Sequence, residues 1–166
     1  MKASEIIKIG SNLLKEKKIQ SHILDSELLL SKTLNKSREE ILINLDQKIG
    51  KKNISTFKEF LQRRSKCEPI AYILEEKEFW SNKFFVTKDT LIPRPETELL
   101  VEKLLKMYDG KKISILDIGT GSGCIIISLL YNLKKSKGIG IDISKKAISA
   151  AKKNAFRYKL FNRIKL

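Results

Sequence analysis

One stretch constrains this chain more than any other. Ile113-Ser-Ile-Leu-Asp117 has the length and apolar content of a buried strand. It runs into a loop with glycine at 119, 121 and 123, and Cys124-Ile-Ile-Ile-Ser-Leu-Leu-Tyr131 then continues as an apolar helix. Strand, glycine loop and helix in this order form a ligand site at the carboxyl end of a strand in an α/β fold.

The glycine spacing narrows the ligand. A G-x-G-x-x-G dinucleotide loop counted from Gly119 needs glycine at 124, which is Cys124; counted from Gly121 it needs glycine at 126, which is Ile126. No lysine follows Gly123, so this is not the phosphate loop of nucleotide hydrolases. What remains is Gly-x-Gly-x-Gly, which lets a ligand come close to the backbone and is expected to offer amide N–H groups beside the helix N-terminus. Lys137-Gly-Ile-Gly-Ile-Asp142 reads as a second buried strand ending in an acid, 23 residues after Gly119. That separation suits a carboxylate that accepts from ribose hydroxyls. A nucleoside without a pyrophosphate fits the pair best. Ser144 can cap a helix through Ile148, Ala151 and Ala155, and Arg163-Ile-Lys-Leu166 begins a third strand. The order β-α-β-α-β implies a parallel sheet, and three strands leave it with an exposed hydrophobic edge.

The preceding residues have a different character. Residues 4–18, 25–34, 37–45 and 53–65 carry apolar positions at helical spacing, with Ser4 as an N-cap and Ser37-Arg-Glu-Glu40 as a capping box. Four short amphipathic helices make a small bundle, with Pro69 ending the last. Glu78 to Thr87 is aromatic and β-branched and reads as a hairpin centred on Ser81-Asn82, with Phe79, Trp80, Phe84 and Phe85 as packing residues. Pro93 and Pro95 stiffen Leu91-Ile-Pro-Arg-Pro-Glu-Thr-Glu98, and Pro95 suits the first turn of a helix through Leu105. This segment is either a rigid lead into that helix or a pocket wall presenting Arg94 and Glu96. The resulting division is a helical docking domain over 1–75, a hairpin linker over 76–90, and part of an α/β domain over 91–166.

Charge and cysteine content exclude other classes. Residues 1–84 hold 17 basic and 12 acidic side chains, and residues 85–166 hold 17 and 7. The lysines are scattered and have no aromatic ladder beside them, so they read as solvated faces and direct nucleic-acid binding is not expected. Cys67 and Cys124 are far apart and lack C-x-x-C spacing, so cysteine metal ligation and a disulfide framework are unsupported, and with His22 as the sole histidine a His-based metal site cannot be assembled; both cysteines read as buried small hydrophobes. No apolar run approaches the length of a membrane span and no signal peptide is evident, so the expected location is the cytoplasm.

Asp117-Ile-Gly-Thr-Gly-Ser-Gly123 together with Gly140-Ile-Asp142 resembles the first two motifs of class I S-adenosylmethionine-dependent methyltransferases. Leu91 to Glu98, Glu68-Pro-Ile-Ala-Tyr72, Phe79-Trp80 and the helical front end resemble, more narrowly, the HemK/PrmC family, and the likeness covers essentially the whole chain. The resemblance implies a Rossmann-like methyltransferase domain behind a helical domain. It implies S-adenosyl-L-methionine as cofactor, with Gly119, Thr120, Gly121, Ser122, Gly123 and Asp142 binding it, and no metal. It implies methylation of the glutamine side-chain nitrogen in the Gly-Gly-Gln motif of peptide chain release factors, which are then the protein partners. The family carries its catalytic residues in an Asn-Pro-Pro-Tyr motif. The prolines here are Pro69, Pro93 and Pro95, so no such motif occurs in these residues; the expectation is an N-terminal fragment that is itself inactive. Glu75 departs from the family, which has glycine there. Two other readings share these features: a methyltransferase acting on a base amine or another protein amide, and a non-catalytic module that binds release factors.

Overall fold

The structure, a computed structural model, describes residues 1–166. The chain forms two compact units, Met1–Leu74 and Glu75–Leu166.

The first unit is helical: α1 (Ala3–Glu16), α2 (His22–Leu34), α3 (Arg38–Ile43), α4 (Lys51–Ser65) and α5 (Ile70–Leu74). Leu14, Leu29, Leu30, Ile41, Phe57, Leu61 and Ile73 form its core. The Ser37–Glu40 capping box is present: Glu40 N–H donates to Ser37 Oγ at 3.1 Å, and Ser37 N–H to Glu40 Oε2 at 2.7 Å. Ser4 lies inside α1 rather than capping it, because Lys2 holds the N-cap position. Sequence periodicity misses α5, which is too short to show a period. Pro69 does not close the preceding helix, which ends at Ser65; its carbonyl accepts from Tyr72 and Ile73 and starts α5. Cys67 is exposed rather than buried, because it sits in the turn after α4 at φ +63°. Beneath the helices Asp25, only 2% exposed, accepts from Arg64 Nε at 2.7 Å and from the Ser21 hydroxyl at 2.8 Å.

The second unit opens with an antiparallel hairpin, β1 (Glu76–Phe79) and β2 (Asn82–Phe85). The sequence set 76–90 apart as a linker, but the hairpin is grouped with the sheet that follows, because Phe79 and Phe84 are part of its core. The turn is Trp80-Ser81, one residue earlier than expected, with φ +51° and +54°. Two left-handed central residues are the pattern of a type I′ turn, which normally recruits Asn-Gly. Side chains offset the strain here: Glu98 Oε1 accepts from Trp80 N–H at 2.9 Å, and Asn82 Nδ2 donates to Trp80 O at 2.8 Å.

Glu75, just before β1, stands at φ +56° while its carbonyl accepts from Val86 N–H. This explains the glycine expected at that position. A left-handed L-residue costs about 1–2 kcal/mol, and glycine's greater freedom in the unfolded chain returns about 0.5–1 of it. Glu75→Gly is therefore expected to stabilise the second unit by about 0.5–1 kcal/mol. The urea midpoint read from Trp80 fluorescence checks this, and a lower midpoint would refute it.

After a single 3-10 turn at Pro95–Thr97 come α6 (Glu98–Met107), β3 (Ser114–Ile118), α7 (Cys124–Asn132), β4 (Lys137–Ile141), α8 (Lys145–Arg157) and β5 (Ile164–Lys165). The sheet is parallel in the order β3-β4-β5, with Leu116 opposite Ile139 and Gly138 opposite Ile164. Gly138 and Gly140 lie on its covered face. A Cβ at Gly138 would stand 2.7 Å from Ile126 of α7, so this glycine lets α7 lie directly on the strand, while one at Gly140 would stand 2.7 Å from Leu166 and 3.0 Å from Thr120. The strands are not buried on both faces as expected. Leu116 (60% exposed), Ile118 (74%), Ile139 and Ile141 (both 46%) point the other way. Parallel sheets ordinarily cover both faces; this one is covered on one.

Candidate cofactor site

The site forms where β3 and β4 end side by side. The glycine loop, residues 119–123, is bound to the end of β4. Gly119 and Thr120 N–H both donate to the Ile141 carbonyl, at 2.8 and 2.9 Å. Gly121 N–H donates to Asp142 Oδ2 at 2.9 Å, and Gly123 N–H turns back to the Thr120 carbonyl at 2.8 Å. The Thr120 hydroxyl donates to Asp117 Oδ2 at 2.7 Å, and Ser144 N–H donates to the other Asp142 oxygen at 2.9 Å.

This geometry corrects one sequence expectation. Four of the five loop amides, those of residues 119, 120, 121 and 123, are consumed internally rather than turned to a ligand. A phosphate cradle needs such groups pointing outward, and this loop turns most of its own inward. The glycines divide the work. A Cβ at Gly119 would meet nothing within 4 Å, and one at Gly121 only the Gly119 carbonyl at 4.0 Å, so these two border open space. Gly123 instead packs inward, where a Cβ would stand 2.8 Å from Ile127 and 3.3 Å from Ala151.

Thr120 and Ser122 are buried beneath the loop, at 5% and 2% exposure, so their side chains shape it from below. Asp142 is half-buried. Its carboxylate has about four lone-pair sites, and the two N–H donors leave others to accept from a ligand. Arg94 and Glu96 are exposed, and no hydrogen bond joins either to the loop. Sequence reasoning missed Asn154, a buried residue of α8 that bonds to the Ser122 carbonyl. The lone polar residue among the alanines of α8's buried face was the available signal.

Cys124 opens α7. A helix N-terminus ordinarily lowers a thiol's pKa. Here burial wins and pushes it up to about 11; the Ser122 hydroxyl partly counters this and the Asp117 charge reinforces it. At pH 8 the Cys124 sulfur is therefore a neutral, shielded thiol. A disulfide reagent at that pH is expected to titrate Cys67 rapidly in the native protein and Cys124 only after denaturation. Two fast native thiols would contradict this.

No group of three or more His, Cys, Asp or Glu side chains could hold a metal ion, and no helix is long and apolar enough to cross a membrane.

Residues 5–74 match the PrmC N-terminal domain, and residues 109–165 match a methyltransferase domain. The chain belongs to the HemK/PrmC family. A release factor glutamine methyltransferase of Buchnera aphidicola subsp. Baizongia pistaciae is 44% identical over 98% of this chain and 58% of its own length. One from Leptospira interrogans is 41% identical over 92% of this chain and 54% of its own. A bifunctional methyltransferase of Rickettsia conorii is 36% identical over 98% of this chain and 36% of its own. The chain thus spans roughly a third to three-fifths of the length of these relatives. The methyltransferase match covers the glycine loop and Asp142.

Proposed function

We propose that this chain provides the cofactor-binding part of an S-adenosylmethionine-dependent methyltransferase. We further propose that its substrate is the glutamine side-chain amide in the Gly-Gly-Gln motif of peptide chain release factors. The observation that carries the cofactor reading is the inward use of the loop amides beside open space at Gly119 and Gly121. Such a surface suits a methionine moiety better than a pyrophosphate, which needs amides turned outward. The remaining acceptor positions of Asp142 suit the ribose hydroxyls. The substrate reading rests on relatives described as release factor glutamine methyltransferases. On this reading residues 1–75 dock the release factor, the hairpin over 76–90 and the α/β residues 91–166 follow, and the protein works in the cytoplasm.

The bound cofactor supplies an electrophilic methyl group. An amide nitrogen is a weak nucleophile because its lone pair is delocalised, so transfer to it depends on close orientation and polarisation. Residues 1–166 contain no Asn-Pro-Pro-Tyr to receive the amide. Their own contribution is to hold the cofactor: Gly119 and Gly121 by close approach, Asp142 by accepting hydrogen bonds, and Gly123, Thr120 and Ser122 by fixing the loop.

Calorimetric titration of the 166-residue chain with S-adenosylhomocysteine tests the reading. Saturable binding is expected, and Asp142→Ala should weaken it about tenfold or more, since hydrogen bonds to a charged group are worth about 1.5–3 kcal/mol each. NAD should not compete. Absence of binding, or equal binding of NAD, would overturn the cofactor reading. Supplying labelled S-adenosylmethionine to the protein with release factors that carry glutamine or alanine in the Gly-Gly-Gln motif tests the substrate. The same setup tests whether residues 1–166 suffice, and we propose that they transfer no methyl group by themselves.

A further inference from the structure

Asn154 lies on α8, far in sequence from the loop, and has no exposed surface. Its amide makes three hydrogen bonds. Oδ1 accepts from Phe85 N–H at 2.7 Å, and Nδ2 donates to the Phe85 carbonyl at 2.9 Å and to the Ser122 carbonyl at 2.8 Å. The partners fix the amide's orientation, because only the oxygen can face Phe85 N–H and only the NH2 can face two carbonyls. With Phe85 it exchanges two bonds as a neighbouring strand would, capping the end of β2. With Ser122 it grips the glycine loop from behind.

We propose that Asn154 is a positioning residue for the cofactor site, holding the Ser122–Gly123 peptide so that Gly119 and Gly121 keep their face to the ligand. The proposal rests on the cofactor reading above. On the sheet side, Ile141 and Asp142 hold residues 119–121. Asn154 is the restraint on the opposite shoulder, next to Gly123, whose N–H returns to Thr120. Without it the Ser122 carbonyl is buried and unpaired, a state costly enough to drive the peptide to rotate. Rotation there would be transmitted to Gly121 through one peptide unit.

The discriminating comparison is Asn154→Asp against Tyr158→Phe. Tyr158 Oη donates to the Lys83 carbonyl at 2.7 Å, so it also ties α8 to the hairpin, but it makes no bond to the loop. Aspartate keeps the shape of asparagine and cannot donate to either carbonyl. Both variants are expected to lose stability. In Asn154→Asp alone, S-adenosylhomocysteine affinity should fall about tenfold at a temperature where Trp80 fluorescence reports a folded protein, and amide exchange over residues 119–123 should quicken by a similar factor. Tyr158→Phe should leave both within about twofold of the parent. If Asn154→Asp binds and exchanges like the parent, or Tyr158→Phe shows the same losses, the residue is only a structural anchor and the proposal fails. If the parent itself binds no ligand, the cofactor reading fails instead, and the exchange comparison still decides whether Asn154 holds the loop. Should the aspartate variant not fold, Asn154→Ala, which removes the donor without adding charge, takes its place.

Discussion

Gly123→Val is expected to cost the second unit about 3–5 kcal/mol, a large share of a domain's typical 5–15 kcal/mol. Two penalties combine. The backbone at 123 stands at φ +79°, where an L-residue costs about 1–2 kcal/mol and a β-branched one more. The first added atom would also lie 2.8 Å from Ile127 Cδ1 and 3.3 Å from Ala151 Cβ. Ile127 is buried, and Ala151 can retreat only if α8 moves, so overpacking adds about 1–3 kcal/mol. Gly119→Ala is the control: its φ is +76° but its Cβ would meet open space, so only the backbone cost of about 1–2 kcal/mol applies. Urea unfolding followed at Trp80 measures both. Equal losses would show that the packing at Gly123 is not what distinguishes the two glycines.

Arg64→Leu is expected to destabilise the first unit by about 3–5 kcal/mol. Asp25 is 2% exposed and Arg64 has little exposure, so the pair is shielded from solvent. Removing the guanidinium leaves a buried carboxylate with the Ser21 hydroxyl as its remaining recorded partner. The lost bond from Arg64 Nη1 to the Glu68 carbonyl adds to the effect. The double variant Arg64→Leu with Asp25→Asn should recover much of the loss, because the orphaned charge is the main penalty. Asp46→Asn breaks the exposed Lys2–Asp46 pair and should leave stability unchanged, as exposed pairs contribute little. The first unit contains no tryptophan, so amide exchange in α2 and α4 is the measurement. A loss from Asp46→Asn as large as that from Arg64→Leu would refute the burial argument.

The sequence made the strand–loop–helix and the acid at 142 legible because they depend on local signals: glycine spacing, an apolar run and a carboxylate at a strand end. The helical front end was legible for the same reason, through periodicity and the Ser37–Glu40 box. What escaped depends on partners distant in the chain. The direction of the loop amides is decided by Ile141 and Asp142, more than 20 residues away. Asn154 reads as an ordinary helix residue until Phe85 and Ser122 are brought to it. The exposure of Cys67 and the one-residue shift of the hairpin both follow from left-handed residues that are not glycine, at Cys67, Trp80 and Ser81, where sequence cues point elsewhere. Glu75, also left-handed, is the exception, because its mismatch with the family's glycine marks the position in the sequence itself.

The tethers of the hairpin carry a consequence for synthesis. Phe85 is bonded to a residue 69 positions downstream, and Lys83 to one 75 positions downstream. Contacts within the first unit close inside its own 74 residues. During translation at about 5–20 residues per second, β1 and β2 emerge roughly 4–15 s before α8 can anchor them. For that interval Phe79, Trp80, Phe84 and Phe85 form an aromatic strand pair without its anchors. The interval in which the nascent chain is most open to chaperone capture or mispairing is therefore set by how long the ribosome takes to reach Asn154.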